Sequence, residues 1–310
     1  MTQQEFVSFL SRRKWGKEQA ARLYETALID GLSSLQDWRE SLVGVFCARN
    51  TNIGALTHLA QSLDKDFPQW EDLTKPNLSE YRDWLLAHLA RNTASTYLHQ
   101  LAAVMEVHDD KIPAANFRSV MAVKKEPSQH VALTEEEVER IHRYQPRNGI
   151  EADIKRAFML ECLCGARSCD IANITAANIK DGWLTYVSQK TKTETSVPVH
   201  RDLMHYLTMP VHNAEYYRST VCRTLKSICK KCGISDMVKL FTKGQWVSVP
   251  KYELVGSHTA RRSFATQLAL RNVPIATIAK LMGHADAKMT SRYICIDSRD
   301  IGDTAMSFFN

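Results

Sequence analysis

Residues 257–293 read SHTARRSFATQLALRNVPIATIAKLMGHADAKMTSRY. Phe264, Leu268 and Leu270 form an apolar helical stripe behind His258-Thr259-Ala260-Arg261. The imidazole and guanidinium, three residues apart, are therefore expected on one side of a helix start. Asn272-Val273-Pro274 and Gly283-His284 break the helical pattern, and Tyr293 closes the run nine residues after His284. A His-x-x-Arg pair taken alone is ordinary surface polarity. The same pair can hold a phosphate oxygen and exchange a proton beside it.

Upstream of this stretch the hydrophobic period changes. Trp183–Gln189 and Thr195–Val199 alternate as strands, and Lys190-Thr191-Lys192-Thr193-Glu194 reads as the turn between them, with residues 178–180 as a third strand. A second short hairpin is expected between Met237–Phe241 and Trp246–Val249. Ile154–Cys164 is a helix ended by Gly165. Thr134-Glu135-Glu136-Glu137 is a capping-box helix start. The C-terminal half thus reads as helices around a small antiparallel sheet, an α+β pattern.

Residues 1 to about 120 read as all-helical: one or two short helices over 4–29, then Leu35–Ala48, Ile53–Leu63, Leu78–Ala90 and Thr93–His108. The last is expected to start on a Thr or Ser cap and to put Tyr97, Leu98, Leu101, Val104 and Met105 on one stripe. Thr93, Ser95, Thr96, His99 and Gln100 lie partly off that stripe, as a capped surface helix or as a phosphate grip beside free backbone amides. The charged, proline-interrupted stretch Val123–His130 separates the halves. The expected organisation is a helical region over 1–122, a linker over 123–133 that presents Lys124 and Lys125, and a second domain over 134–310.

The chain has 310 residues, 44% hydrophobic and 24% charged, with a formal charge of +6. This fits a folded two-domain protein with a polyanionic partner, although the charge alone decides nothing. From Arg218 to Lys243 seven basic residues face the single acid Asp236. Arg223, Lys226 and Lys230 within that run are either a solvated helix face or a nucleic-acid contact. Eight cysteines in a chain of this size, behind an N-terminus that does not read as a secretory leader, are expected as reduced thiols and not as a disulfide framework. Cys229-Lys230-Lys231-Cys232 has the spacing of half a zinc site but no second half, so no metal is expected. No window is long and apolar enough for a membrane span, and a cytoplasmic location is expected.

Taken in order, Gly165-Ala166-Arg167-Ser168-Cys169-Asp170, Lys190 on a hairpin leading to Val197-Pro198, His258-Thr259-Ala260-Arg261, Gly283-His284 and Tyr293 resemble the tyrosine recombinase (phage-type integrase) family across roughly residues 130–300. The block from Val249 to Thr266 looks like integrases of Bacteroidetes mobile elements in particular. Ser95-Thr96-Tyr97-Leu98 to Met105 is similar to a helix of the family's core-site DNA-binding domain. Ala260 stands where the family usually has Leu.

The resemblance implies a two-domain DNA clamp, a helical core-binding domain plus a catalytic domain. It implies strand cleavage and rejoining through a 3′-phosphotyrosine on Tyr293, with no cofactor. Arg167 and Arg261 would hold the phosphate, with Asp170 steering Arg167 by ion pairing. His258 would take the phenol proton, and His284 would touch the phosphate or orient its neighbours. Lys190, placed better than Lys192 at the turn apex, would protonate the leaving oxygen. Thr96, Tyr97, His99, Lys124, Lys125, Lys192, Arg223, Lys226, Lys230 and Arg262 would face DNA. The implied partners are double-stranded recombination sites and further copies of the chain, as a tetramer on DNA and a monomer or weak oligomer when free. Accessory DNA-bending proteins are a further implied partner. The apolar tail, Ile301 to Phe309, would dock on a neighbouring subunit or pack on its own domain. The rival readings are a DNA-binding regulator of the same fold with an inert Tyr293, and a topoisomerase-like cleavage and religation enzyme.

Overall fold

The computed structural model describes residues 4, 25, 34–49, 53–65, 68–126, 130–213, 215–242 and 245–296. All but two residues of the helices expected over 4–29, and the whole apolar tail of 301–309, lie outside them. Contacts within the chain divide it into two units, Met1–Pro127 with Phe241–Gln245, and Ser128–Leu240 with Trp246–Asn310.

The first unit is helical: α1 (Leu35–Glu40), α2 (Leu42–Arg49), α3 (Gly54–Leu63), α4 (Lys75–His88), α5 (Arg91–Met105) and α6 (Arg118–Met121). The single helix expected over 35–48 is two, because Ser41 is extended and its hydroxyl accepts from the Gly44 amide while donating to the Trp38 carbonyl. Thr74 caps α4, with proline in its first turn. Trp38, Leu42, Phe46, Leu59, Leu78, Tyr81, Leu85, Leu101 and Met105 are fully buried and form the core. The Tyr81 hydroxyl is satisfied there by the Ala55 carbonyl at 2.7 Å.

Helix α5 departs from expectation. It begins at Arg91 behind Ala90, which supplies no side-chain cap, so Thr93 and Ser95 lie inside the helix and Ser95 is buried. The start moves earlier because the Asn92 amide exchanges two hydrogen bonds with the backbone of Glu126, at 2.9 and 3.0 Å, and fixes the chain there.

The second unit contains α7 (Glu135–Arg143), α8 (Gly149–Cys164), α9 (Ser168–Ile171), β1 (Ile179–Lys180), β2 (Trp183–Val187) and β3 (Glu194–Pro198). These are followed by α10 (Leu203–Thr208), α11 (Arg218–Lys231), β4 (Met237–Thr242), β5 (Gln245–Pro250), α12 (Thr259–Leu270), α13 (Ile275–Leu281) and α14 (Ala287–Ser291). Strands β1, β2 and β3 form an antiparallel sheet with Leu184 opposite Val197, both buried, and β4 pairs with β5 in a second sheet. The fold is mainly helical with small sheets, as the sequence pattern predicts. Thr134 and Glu137 exchange the two hydrogen bonds of a capping box at the start of α7.

Helix α8 is the spine of this unit and packs against α7, α9, α10, α11 and α12. Ile154, Phe158 and Leu160 bury its apolar side. It stops at Gly165, whose φ of 65° is a left-handed turn, and a Cβ there would sit 2.4 Å from the Phe264 ring. Only glycine permits both the turn and the close approach of α12. Gly283, after α13, repeats the device: φ is 60° and a Cβ would meet Thr195 Oγ1 at 2.4 Å. These two turns bring the ends of α8 and α13 to the same place as α12 and β3. Among the described residues no helix is long and apolar enough to cross a membrane.

Candidate active site

The site is built on the carbonyls of those glycine turns. Arg261, on the first turn of α12, is fully buried. Its Nη1 donates to the Gly165 carbonyl, and its Nη2 donates to the Met282 carbonyl and to His284 Nε2, the last at 2.8 Å. Arg167, in extended backbone just after α8, donates from Nη2 to the Gly283 carbonyl at 3.4 Å and from Nη1 to Ser188 Oγ at 2.9 Å. Adjacent carbonyls of one turn, Met282 and Gly283, thus hold one guanidinium each. The spacing of the sequence places His258 and Arg261 on one side of a helix, but the structure separates their surroundings. Arg261 turns inward, and His258, at the N-cap of α12, is exposed.

His284 is buried between two partners. Its Nε2 accepts from Arg261, so the proton of the neutral ring sits on Nδ1 and is donated to Thr290 Oγ1 at 2.9 Å. Burial, then the charges of Arg261 and Arg167, push its pKa down to about 4. Both ring nitrogens of His284 are thus engaged by protein partners. Partial loss of hydration, then Arg262, Arg218, Arg261 and Lys190, hold the His258 pKa below the usual imidazole value. Both rings are therefore neutral at pH 7.

Tyr293 lies over this floor. Its ring centroid is 5.2 Å from that of His284 and 6.4 Å from that of His258, and the guanidinium carbons of Arg261 and Arg262 are 5.6 and 5.2 Å away. Arg262 is held by the Arg292 carbonyl at 2.7 Å. Phenol, two imidazoles and cationic side chains from α8–α9, α12 and α13–α14 meet in one place.

The β2–β3 loop forms the rim. Lys190 is exposed on it, and its charge reaches His258. Lys192 is exposed at φ 55°, the left-handed corner of the turn. One expectation needs correcting: Asp170 does not pair with Arg167. Arg167 is the N-cap residue of α9 with φ −79° and ψ 150°, so its side chain leaves the helix face that an i,i+3 pair requires. Asp170, buried, instead accepts from Ser188 Oγ at 3.1 Å and from the Gln189 amide at 2.8 Å. Ser188 stands between them.

Of the residues expected to face DNA, Arg223, Lys226 and Lys230 line one open groove of about 550 Å³ along α11. Lys226 is paired there with Glu253 at 3.2 Å, and Lys230 lies over the Tyr252 ring. In the first unit Thr96, His99 and Lys125 line a groove of about 650 Å³ with Arg49. Lys124 is exposed beside it in sequence. The Thr96 hydroxyl donates to the Asn92 carbonyl one turn back, and the Tyr97 ring packs on Gly54 and His58.

Sequence reasoning missed Ser188, Thr290 and Glu161. Glu161, beneath the floor, is buried with one carboxyl oxygen unpartnered, and burial raises its pKa to about 8 against the lowering effects of Ser168 and Arg261. Only the four-residue spacing of Glu161 before Gly165 was visible, and it carries no chemistry by itself.

A mainly helical domain whose three-stranded sheet and last helices gather these side chains defines the tyrosine recombinase class. A model described as the phage integrase family matches residues 132–299, and the chain belongs to that family. Among solved structures it is similar to a lambda integrase (75-356) dimer bound to a COC′ core site, at 16% identity over 84% of this chain and 94% of that one, with a TM-score of 0.59. The XerH site-specific recombinase bound to a palindromic difH substrate matches at 15% identity over 93% and 88%, TM-score 0.59. The Tn1549 transposon integrase in complex with a circular intermediate DNA matches at 15% identity over 86% and 98%, TM-score 0.55. At these identities the likeness is one of fold. No curated protein matches the chain.

Proposed function

We propose that this chain is a site-specific DNA recombinase that cleaves and rejoins strands through a 3′-phosphotyrosine on Tyr293. The observation that carries the reading is the convergence on the Tyr293 ring of the Arg261 guanidinium, the edge-on imidazole of His258 and the tilted imidazole of His284. A phosphodiester under attack gains negative charge on its non-bridging oxygens, and fixed guanidiniums favour that state over the ground state. Arg261 and Arg167, already oriented by protein carbonyls, supply the charge with little reorganisation. The phenol loses its proton as its oxygen bonds to phosphorus. Neutral His258 accepts that proton.

As the P–O5′ bond breaks, the Lys190 ammonium gives a proton to the departing oxygen. The phosphoester bond is conserved in the enzyme link, so a new 5′ hydroxyl can reverse the step without ATP or a metal. The basic grooves of α11 and of α5 would each hold phosphates, setting position while base contacts choose the site. Recombination by a tetramer on two DNA sites, with integration, excision or inversion as the outcome, follows from that family reading. The test is incubation with a nicked suicide duplex drawn from DNA flanking the gene. The parent protein should form an SDS-stable adduct, and Tyr293→Phe should form none while still binding DNA. An adduct that persists in Tyr293→Phe refutes the assignment.

A further inference from the structure

Ser188 carries more connections than a loop serine needs. Its amide donates to the Thr193 carbonyl at 2.9 Å and its carbonyl accepts from the Lys192 amide at 2.8 Å, so its backbone closes the β2–β3 loop from both sides. Its hydroxyl accepts from Arg167 Nη1 at 2.9 Å and donates to Asp170 Oδ2 at 3.1 Å, which uses its one proton. The other oxygen of Asp170 takes the Gln189 amide, the residue before Lys190. Ser188 is fully buried, while Lys190, two residues on, is exposed and has no hydrogen bond or ion pair among the described residues.

We propose that Ser188 is a positioning residue: through one hydroxyl it ties the guanidinium that grips the phosphate to the base of the loop that delivers the Lys190 ammonium. The inference rests on the function proposed above and deepens it. In the alanine variant, Asp170 loses a donor and Arg167 an acceptor. The two then pair directly or recruit water, and although the backbone bonds of residue 188 persist, the tie from Asp170 to the loop base runs through the Gln189 amide alone. The phosphate grip survives through the Gly283 carbonyl, while the placement of the proton donor does not. Cleavage would therefore fail at protonation of the leaving oxygen: Tyr293 Oη–P forms, P–O5′ breaks, and the proton that should pass from Lys190 Nζ to O5′ arrives late.

The experiment compares a nicked duplex having oxygen at the scissile 5′ position with one having a bridging sulfur there. A thiolate departs without a proton because its conjugate acid is far stronger than an alcohol. On the oxygen substrate Ser188→Ala and Lys190→Ala should each cleave about 100-fold more slowly than the parent, and the double variant no more slowly than Lys190→Ala alone. On the sulfur substrate both should return to within about threefold of the parent. Ser188→Cys, which keeps the volume and weakens the hydrogen bonds, should show a smaller loss with the same recovery. It decides the matter if the alanine variant melts early. Ser188 variants equally slow on both substrates, or as fast as the parent on both, overturn the inference and leave the function standing. A parent protein that cleaves neither substrate removes both.

Discussion

The floor and the rim of the site are built in opposite ways. Arg261 is sealed in the interior with two carbonyls and an imidazole on its fork, whereas Lys190 stands in solvent on a loop secured only at its base. The difference fits what the proposed chemistry asks of each. Charge that stabilises a transition state works best when it need not reorganise, so it is fixed in low dielectric and the cost is met when the protein folds. A proton donor must reach an oxygen that moves as it leaves, so it sits on a short exposed loop. Floor residues should therefore serve stability and chemistry together, and rim residues chemistry alone.

The largest expected effect breaks the floor. Arg261→Ala should lower the single-turnover cleavage rate by more than about 1,000-fold. It should also destabilise the second unit by about 3–5 kcal/mol, since it strands the Gly165 and Met282 carbonyls and leaves a buried gap. Arg261→Lys keeps the charge but not the planar fork and should recover neither property fully. Thermal melting and adduct formation measured together test this. A variant that melts like the parent would show that the burial of Arg261 has no part in stability.

The rim comes next. Lys190→Ala should slow cleavage by about 100-fold and change stability by less than about 0.5 kcal/mol. Lys192→Gly should cleave within about threefold of the parent and melt slightly higher, because glycine adopts φ 55° without the ~1 kcal/mol left-handed cost. The reverse ranking of the two lysines in cleavage assays would move the acid to Lys192.

A smaller effect separates floor from rim by pH. The folded-state pKa of His284, about 4, lies below the unfolded imidazole value, so the unfolded chain binds its proton first as pH falls. Its contribution is fully present above about pH 6.5 and is lost as pH falls toward 4, at most about 3 kcal/mol. His258 and His130 are shifted in the same direction, so the parent's acid sensitivity is shared. His284→Gln should flatten its part of the stability profile between pH 6.5 and 4 in denaturant titrations. A variant with the parent's full slope would place that sensitivity elsewhere.

Much of this was legible in the sequence. The hairpin, the helix ended by Gly165 and the capping box at Thr134 follow from period and turn chemistry, and the structure gathers Arg167, Lys190, His258, Arg261, His284 and Tyr293. What stayed hidden has one physical cause: bonds between side chains and distant backbone have no sequence period. Arg261 meets Gly165 across 96 residues and Arg167 meets Gly283 across 116. The i,i+3 rule misplaced Asp170 because it presumes that both residues are helical, and Arg167 is not. Ser188 was invisible for the converse reason, being an ordinary strand-end serine until the fold brings two charges to its hydroxyl.

The smallest expected effect concerns the layer under the floor. Glu161 lies near Arg261 and is almost fully buried, so two forces compete: the guanidinium favours the carboxylate, and lost hydration disfavours it. Burial wins, with a pKa of about 8, so at neutral pH Glu161 is mostly protonated when folded and ionised when unfolded. For a raised acid the unfolded state releases its proton first. Stability is thus fully present below about pH 4.5 and declines as pH climbs to 8. Glu161→Gln keeps the shape and removes the ionisation, so it should gain about 1–2 kcal/mol over the parent at pH 8 and little at pH 5. Chemical denaturation at the two pH values measures the difference. If the glutamine variant is instead weaker at pH 8 than at pH 5 relative to the parent, Glu161 is an ionised partner of Arg261, and the floor is held by a buried ion pair instead of by carbonyls.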